Sequence, residues 1–469
     1  MGREIRADLE QQFLLPPSID DWLPADHPAR FVREFVDSLD LSTLGFRQAR
    51  PDDEPGRSPY ASSLLLCVWL FGWMDRIRSS RALEKACIRD LAFLWLTGNK
   101  HPDHNTLWRF FRDHKAALCK LFKQTVLLAM DARLVGFVEH ALDGTKLKAA
   151  SSTRSALHER SLKEKLAKLD AFIAESTREI EAAQASGDEP SYRMPEALRD
   201  AKERRRIIQE GLARLAAAEA KHLHEAEPEA RVVKTGKENA LGYNAQIVVD
   251  GKSDLIIAQD VVNEETDCGQ LVPMLDKVKE TTGALADETM ADSGYFSATQ
   301  LAEAESKSLG VLVKPKADKN EDGEYHKSRF HYDAERDGYV CPRGEFLPLD
   351  VLRRRGKTLR YDTATYRCRN AECPVRAQCT DSKKGRTIIR GEHEETLERA
   401  RTLFADPAAA KRYNRRGAIV EHQFAFAKTM DGFRRFTVRG LAGARAQWSL
   451  LCSALNLRKL YRYWLPVAA

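Results

Sequence analysis

The 469-residue chain is long enough for two or three domains, because single cores stop growing near about 250–300 residues. Its 43% hydrophobic and 31% charged residues favour neither a disordered nor a membrane class. The net charge of +6 is unevenly spread: residues 411–464 hold twelve Lys and Arg against Glu421 and Asp431, a local +10 suited to phosphate backbones or to a solvated helical face.

Residues 1–135 read as helical, with periodic apolar positions through Phe31–Leu39, Leu64–Met74, Leu83–Leu96 and Leu107–Met130. Leu64–Met74 is the longest apolar run, about half of what a bilayer-spanning helix needs, so a cytoplasmic protein with no membrane partner is expected. Arg76, Arg78, Arg81, Arg109 and Arg112 could offer cations to a DNA-facing helix or belong to a plain bundle.

At Phe137–Leu147 the pattern changes to a short β-type run ending in a Gly-Thr turn, and strands reappear at Tyr243–Val249 and Leu255–Val262. Between them, 155–225 has heptad-like spacing broken by the Gly-Asp-Glu-Pro at 187–190, which predicts a helical hairpin. A helix at Gln270–Lys279, a strand ending at Asp292, a helix at Ala298–Leu309 and a strand at Val311–Lys314 give a β/α alternation. Residues 320–390 lose periodicity before helices resume from Glu394.

Phosphoryl transfer on DNA needs positive charge on the phosphate oxygens, which two cations held by converging carboxylates can supply. Asp143 sits in the first strand, in Ala-Leu-Asp-Gly-Thr, where Gly144 leaves room for a ligand, and Asp292 closes a later strand in Met-Ala-Asp-Ser-Gly-Tyr, where the glycine two residues on lets the chain turn away. Glu421 interrupts an apolar run, where an unpaired carboxylate would be costly. Each alone is more often a turn aspartate or a surface glutamate. On a helix, Glu421 and Lys428 share a face, with Tyr413 and Arg416 on the turns before.

Tyr413, Arg416, Glu421 and Lys428, with two, four and six residues between them, resemble the Y-R-E-K motif of bacterial insertion-sequence DDE transposases. Many relatives have three residues between Arg and Glu. The family named after insertion sequence 1182 has four, and continues with a Gly-Phe-Arg-Arg-Phe segment and an Arg-Gly-Leu, as Gly432–Leu441 does. Similarity extends to Pro-Asp-His at 102–104, Asp-Gly-Thr-Lys at 143–146, Gly-Tyr-Asn-Ala-Gln at 242–246 and Ala-Asp-Ser-Gly-Tyr at 291–295.

The resemblance implies an α/β chain: an all-α N-terminal DNA-binding domain at 1–135, then an RNase H-like catalytic domain at 136–469. That domain carries the inserted helical hairpin at 155–225, a Cys-rich insertion at 320–390 and basic C-terminal helices at 411–464. It further implies Asp143, Asp292 and Glu421 as the ligands of two Mg2+ or Mn2+ ions, and Tyr413, Arg416 and Lys428 as contacts to DNA ends. Arg434, Arg435 and Arg439 join these as phosphate contacts through the basic segment. Double-stranded DNA, as inverted-repeat ends and target, is the expected partner, with a homodimer in the synaptic complex and a nucleoid location. A nuclease of the same fold and a silent DNA-binding descendant stay open. Some relatives stack a tryptophan on a flipped base, but none of the seven tryptophans here falls between Asp292 and Glu421.

Cys341, Cys368, Cys373 and Cys379, separated by 26, 4 and 5 residues, could close a tetrahedral thiolate site for a structural zinc, or stand as four free thiols in a loop-rich insertion.

Overall fold

The computed structural model describes residues 18–468 apart from 48–58, 153–155, 186–195, 218–221, 225, 237, 318–322 and 354–362. The expected Gly-Asp-Glu-Pro break at 187–190 lies outside the described residues.

The N-terminal helices begin where the sequence offers caps. Asp90 and Asp103 accept backbone N–H groups at the starts of Leu91–Thr97 and His104–Asp113, which satisfies donors no helix can satisfy internally. The Pro-Asp-His motif is therefore a helix start, and the His104 Nδ1 lies within hydrogen-bond distance, 3.0 Å, of the Glu84 carboxylate. The apolar run becomes the helix Ser62–Met74, buried on nearly every side. Among the described residues no helix is long and apolar enough to cross a membrane.

The central sheet has six strands: β1 (Glu139–Lys148), β2 (Arg231–Thr235), β3 (Glu238–Asp250), β4 (Ile256–Val262), β5 (Glu288–Ala291) and β6 (Val311–Val313). β3 lies antiparallel between β1 on one side and β2 and β4 on the other, whereas β5 and β6 continue the sheet parallel to β1. β1 does not end in the expected Gly-Thr turn but runs on to Lys148. Its neighbour β3 is buried along almost its whole length, including the polar Asn244, Gln246 and Asp250.

The hairpin between β1 and β2 forms from helices Glu159–Ala185 and Glu196–Ala217, whose buried side chains include Leu198, Ala201 and Leu215. Residues 320–390, expected to be irregular, contain a five-stranded antiparallel sheet of His331–Asp333, Gly338–Val340, Phe346–Arg353, Thr363–Arg367 and Thr387–Gly391. Its own small core is built on Phe330, Tyr339, Leu347, Tyr366 and Ile388. The strands are short and the tyrosines between them polar-tipped, which hides the period-two signal from a sequence scan.

One continuous core joins the N-terminal helices, the sheet and the final helix Leu441–Ala468. That helix is a central packing element: Ala444, Ala446, Trp448, Leu450, Leu451 and Leu457 are buried, and Trp448 donates to the backbone of Gln246 in β3 at 3.2 Å. Of the arginines that could face DNA or belong to a plain bundle, Arg78 is part-buried and Arg76 stays exposed. Both meet Asp431, through its carboxylate and its carbonyl, and Arg78 lies over the Phe433 ring.

Candidate functional site

The register of β1 and β5 pairs Leu142 with Ala291, so Asp143, in the middle of β1, and Asp292, the residue after β5, lie side by side. Neighbouring strands are about 4.8 Å apart, which makes the middle of β1 and the C-terminal end of β5 a rigid holder for two carboxylates. Asp292 Oδ1 accepts the Gly294 N–H at 2.9 Å and so caps the short turn Ser293–Tyr295. Asp143 accepts the Gly144 N–H at 2.8 Å and pairs with Arg416 at 3.0 Å.

Burial pushes the Asp143 carboxyl up to about 6, the Arg416 charge and the Gly144 N–H pull it down, and the nearby Asp292 and Asp267 carboxylates push it up again. Arg416 is itself 7% exposed and donates to the Leu142 carbonyl as well. It is thus a buried counter-ion for Asp143. Burial raises the Tyr413 hydroxyl, with Arg416 opposing and Asp292 and Asp143 reinforcing the rise. Burial lowers the Lys428 ammonium against the attraction of Asp143. Arg416 thus touches Asp143, and the Tyr413 hydroxyl and the Lys428 ammonium both feel its charge.

Glu421 lies on the helix Arg415–Ala425 that packs against β1, but it is exposed, with its carboxylate over Gly417. The apolar run around it turns Ile419, Val420 and Phe424 inward and Glu421 outward, so the desolvation argument for this residue does not hold. Among the described residues no group of three or more His, Cys, Asp or Glu side chains is arranged to hold a metal ion.

The basic segment divides into two sets. Arg412 pairs with Glu288, Arg415 with Glu139, Arg445 with Asp260 and Arg458 with Asp431, while Lys459 bonds the Asp254 carbonyl. These cations hold the fold. Arg434, Arg435 and Arg439 are exposed on the segment that follows, where Arg434 bonds the Lys428 carbonyl at 3.2 Å and Arg435 the Ala150 carbonyl at 2.9 Å. Phe433 and Phe436 anchor this segment in the core, and the Phe436 N–H reaches the Lys148 carbonyl at the end of β1 at 2.8 Å.

Asp267, in the loop after β4, was not singled out by sequence reasoning. Its Oδ1 accepts from Lys146 at 2.8 Å, Asn244 at 2.8 Å and Gln246 at 2.7 Å. The signal available was the Gly-Tyr-Asn-Ala-Gln motif, whose Asn and Gln share one face of a strand and so need a common partner.

Cys341, Cys368, Cys373 and Cys379 gather at one end of the small sheet, and all four are free. The Cys341 sulfur accepts backbone N–H groups from Arg343 at 3.4 Å and Glu345 at 3.3 Å. Burial raises the Cys368 and Cys379 thiols, and the other cysteines add to the rise, so the sulfurs are neighbours without being set at ligating distance.

Two stretches of the chain match known domain families. Residues 340–461, which span part of the small sheet, Glu421 and most of the final helix, match the model described as "Transposase DDE domain". Residues 17–113, the N-terminal helices, match "Transposase domain (DUF772)". Both matches are to transposase domains. No curated protein matches the chain. Among solved structures, a piggyBac transposase synaptic complex with hairpin DNA aligns over 93% of this chain and 75% of that chain, at 9% identity and a TM-score of 0.35, too low a score to place the fold. The transposase-domain matches flank β1 and β5, so Asp143 and Asp292 lie between the matched stretches and Glu421 inside the second.

Proposed function

We propose that the chain is a DDE transposase of an insertion sequence, of the insertion sequence 1182 type, acting in the cytoplasm on double-stranded DNA as a homodimer. It binds the inverted-repeat ends of its element, cuts them by hydrolysis and joins the freed 3′ hydroxyl to target DNA. The observation that carries this reading is the side-by-side placement of Asp143, within β1, and Asp292, at the end of the adjacent parallel strand β5, with Arg416 paired to Asp143 and Lys428 feeling its charge, in a chain with two transposase-domain matches.

The strand order β4-β3-β1-β5-β6, antiparallel for the first three and parallel thereafter, supports an RNase H-like catalytic domain. Carboxylate oxygens are the donors that Mg2+ or Mn2+ takes, and Asp143 and Asp292 fit that requirement, with Glu421 on the adjoining helix as the third ligand. When bound, two such ions supply a lowered pKa for the attacking water and charge neutralisation at the scissile phosphate. Arg416 holds the Asp143 carboxylate in place. Lys428, Arg434, Arg435 and Arg439 bind phosphates of the end, and Tyr413 keeps Arg416 oriented from the preceding helix. The four clustered cysteines are the candidate ligands of a structural zinc, which would require their loops to tighten.

The test uses a labelled duplex carrying the inverted repeat that flanks the coding frame, with Mg2+ and a target plasmid. The parent should nick the end and join it, and Asp143→Asn, Asp292→Asn and Glu421→Gln should each abolish cutting while binding the end. Cutting without joining would leave a nuclease, and binding without cutting a silent descendant. A mutant that still cuts removes its residue from the triad.

A further inference from the structure

The Gly-Tyr-Asn-Ala-Gln motif has no part in the reaction just described, yet it sits beside the two aspartates. Along β3, Asn244 and Gln246 point to one face and meet Asp267, whereas Tyr243 faces the other way and donates to the buried Glu227 at 3.1 Å. Lys146, three residues beyond Asp143 on β1, reaches the same Asp267 oxygen. Three donors from two strands therefore converge on one oxygen of a loop carboxylate.

The network continues to the second aspartate. Gln246 spends its amide nitrogen on Asp267 and accepts the Tyr295 hydroxyl on its amide oxygen. Tyr295 is buried and closes the turn that Asp292 caps. One glutamine thus ties β3, the Asp267 loop and the Asp292 turn together. Space around Asp267 is tight: a Cβ on Gly144 would stand 2.7 Å from Asp267 Oδ1 and 2.4 Å from Gln246 Nε2. A Cβ on Gly294 would stand 3.4 Å from Asp267 Oδ2 and 2.9 Å from Asp292 Oδ1. The glycines after Asp143 and Asp292 let the cradle approach both aspartates, and neither is forced by a left-handed backbone.

We propose that Asp267, gripped by Lys146, Asn244 and Gln246, is a positioning residue that holds Asp143 and Asp292 in their relative places; this rests on the transposase reading. A carboxylate with three donors on one oxygen has little freedom to move, and misplacement of reacting groups by about 1 Å can cost about 100-fold in rate.

The experiment compares the full chain with Asp267→Ala, Asp267→Asn and Gln246→Met in cleavage of the same labelled end. Asp267→Ala should lower kcat about 100-fold while KM and end affinity stay within about twofold. Asp267→Asn keeps Oδ1 as an acceptor for Asn244 and Gln246 and should recover about tenfold of that loss. Gln246→Met should resemble Asp267→Ala, and the two together should be far from additive. Independently of turnover, Mn2+ affinity read from the free-ion EPR signal should fall in Asp267→Ala. If Asp267→Ala does not fold, Gly144→Ala crowds the cradle without removing a charge and should show the same loss of kcat. An Asp267→Ala protein, or in its place Gly144→Ala, that cuts within about threefold of the parent overturns the proposal. A parent that never cuts defeats the transposase reading instead, and unchanged Mn2+ affinity in Asp267→Ala then still overturns this one.

Discussion

Asp431 offers a direct test of the way the two ends of the chain are joined. It is 3% exposed, and its carboxylate accepts two bonds from Arg458 at 3.0 and 2.9 Å and faces Arg76 at 3.4 Å. Arg458 in turn donates to the carbonyls of Trp73 and Met74, the end of the buried helix Ser62–Met74. Asp431→Ala strands these cations against the protein. Removing one partner of a buried pair costs about 3–5 kcal/mol, and because the Arg458 side chain keeps 25% exposure, water recovers part of that, leaving about 2–3 kcal/mol. Urea unfolding followed by tryptophan fluorescence reports it, since Trp73 and Trp448 are both buried and Trp73 packs on Phe433. The double change Asp431→Leu with Arg458→Met removes both charges and should recover at least about 1 kcal/mol relative to the sum of the single changes. A loss below about 0.5 kcal/mol, or strict additivity, would refute the idea that this pair locks the N-terminal helices to the C-terminal segment.

The division of the basic segment predicts two behaviours: Lys428→Ala and Arg435→Ala should each reduce the log-log salt slope of end binding by about one, whereas Arg458→Ala should leave the slope alone and lower stability. A slope change in Arg458→Ala would mean that it faces DNA. His140 is fully buried without a hydrogen bond to either ring nitrogen, and burial lowers it to about 4 against the pull of Asp250. A folded value below the unfolded 6.5 means that its stability contribution is complete above pH 6.5 and is lost as pH falls toward 4, by about 3 kcal/mol. His140→Phe should flatten unfolding free energy against pH in that window, and an unchanged profile would rule His140 out as the acid-sensitive group. For the cysteines, protein refolded with zinc should retain about one equivalent and Cys373→Ser should release it; less than half an equivalent in the parent removes zinc from the reading.

Local chemistry made part of this protein legible from sequence. The apolar run at Leu64–Met74 and the β/α alternation after 255 are short-range signals, and the elements they announce appear within a few residues. Asp143 and Asp292 were visible for the same reason, because each belongs to a short strand motif with a glycine close by. The transposase-domain matches agree with the transposase part of the resemblance those motifs carried.

Only the tertiary structure decided what those residues touch. Periodicity marks a face of a helix without saying what lies opposite, so Arg416 and Arg458, equal to Lys428 and Arg435 in a count of cations, became counter-ions of the inward-facing Asp143 and Asp431. Glu421 is flanked by apolar residues in sequence, yet one turn of helix sends them to the core and the carboxylate to the surface. Asp267 lay 124 residues from Asp143 in a loop with two other acids near it, and nothing local set it apart. Strand register brought it to Lys146, Asn244 and Gln246, because hydrogen bonds between strands join residues by position in the sheet and not by distance along the chain.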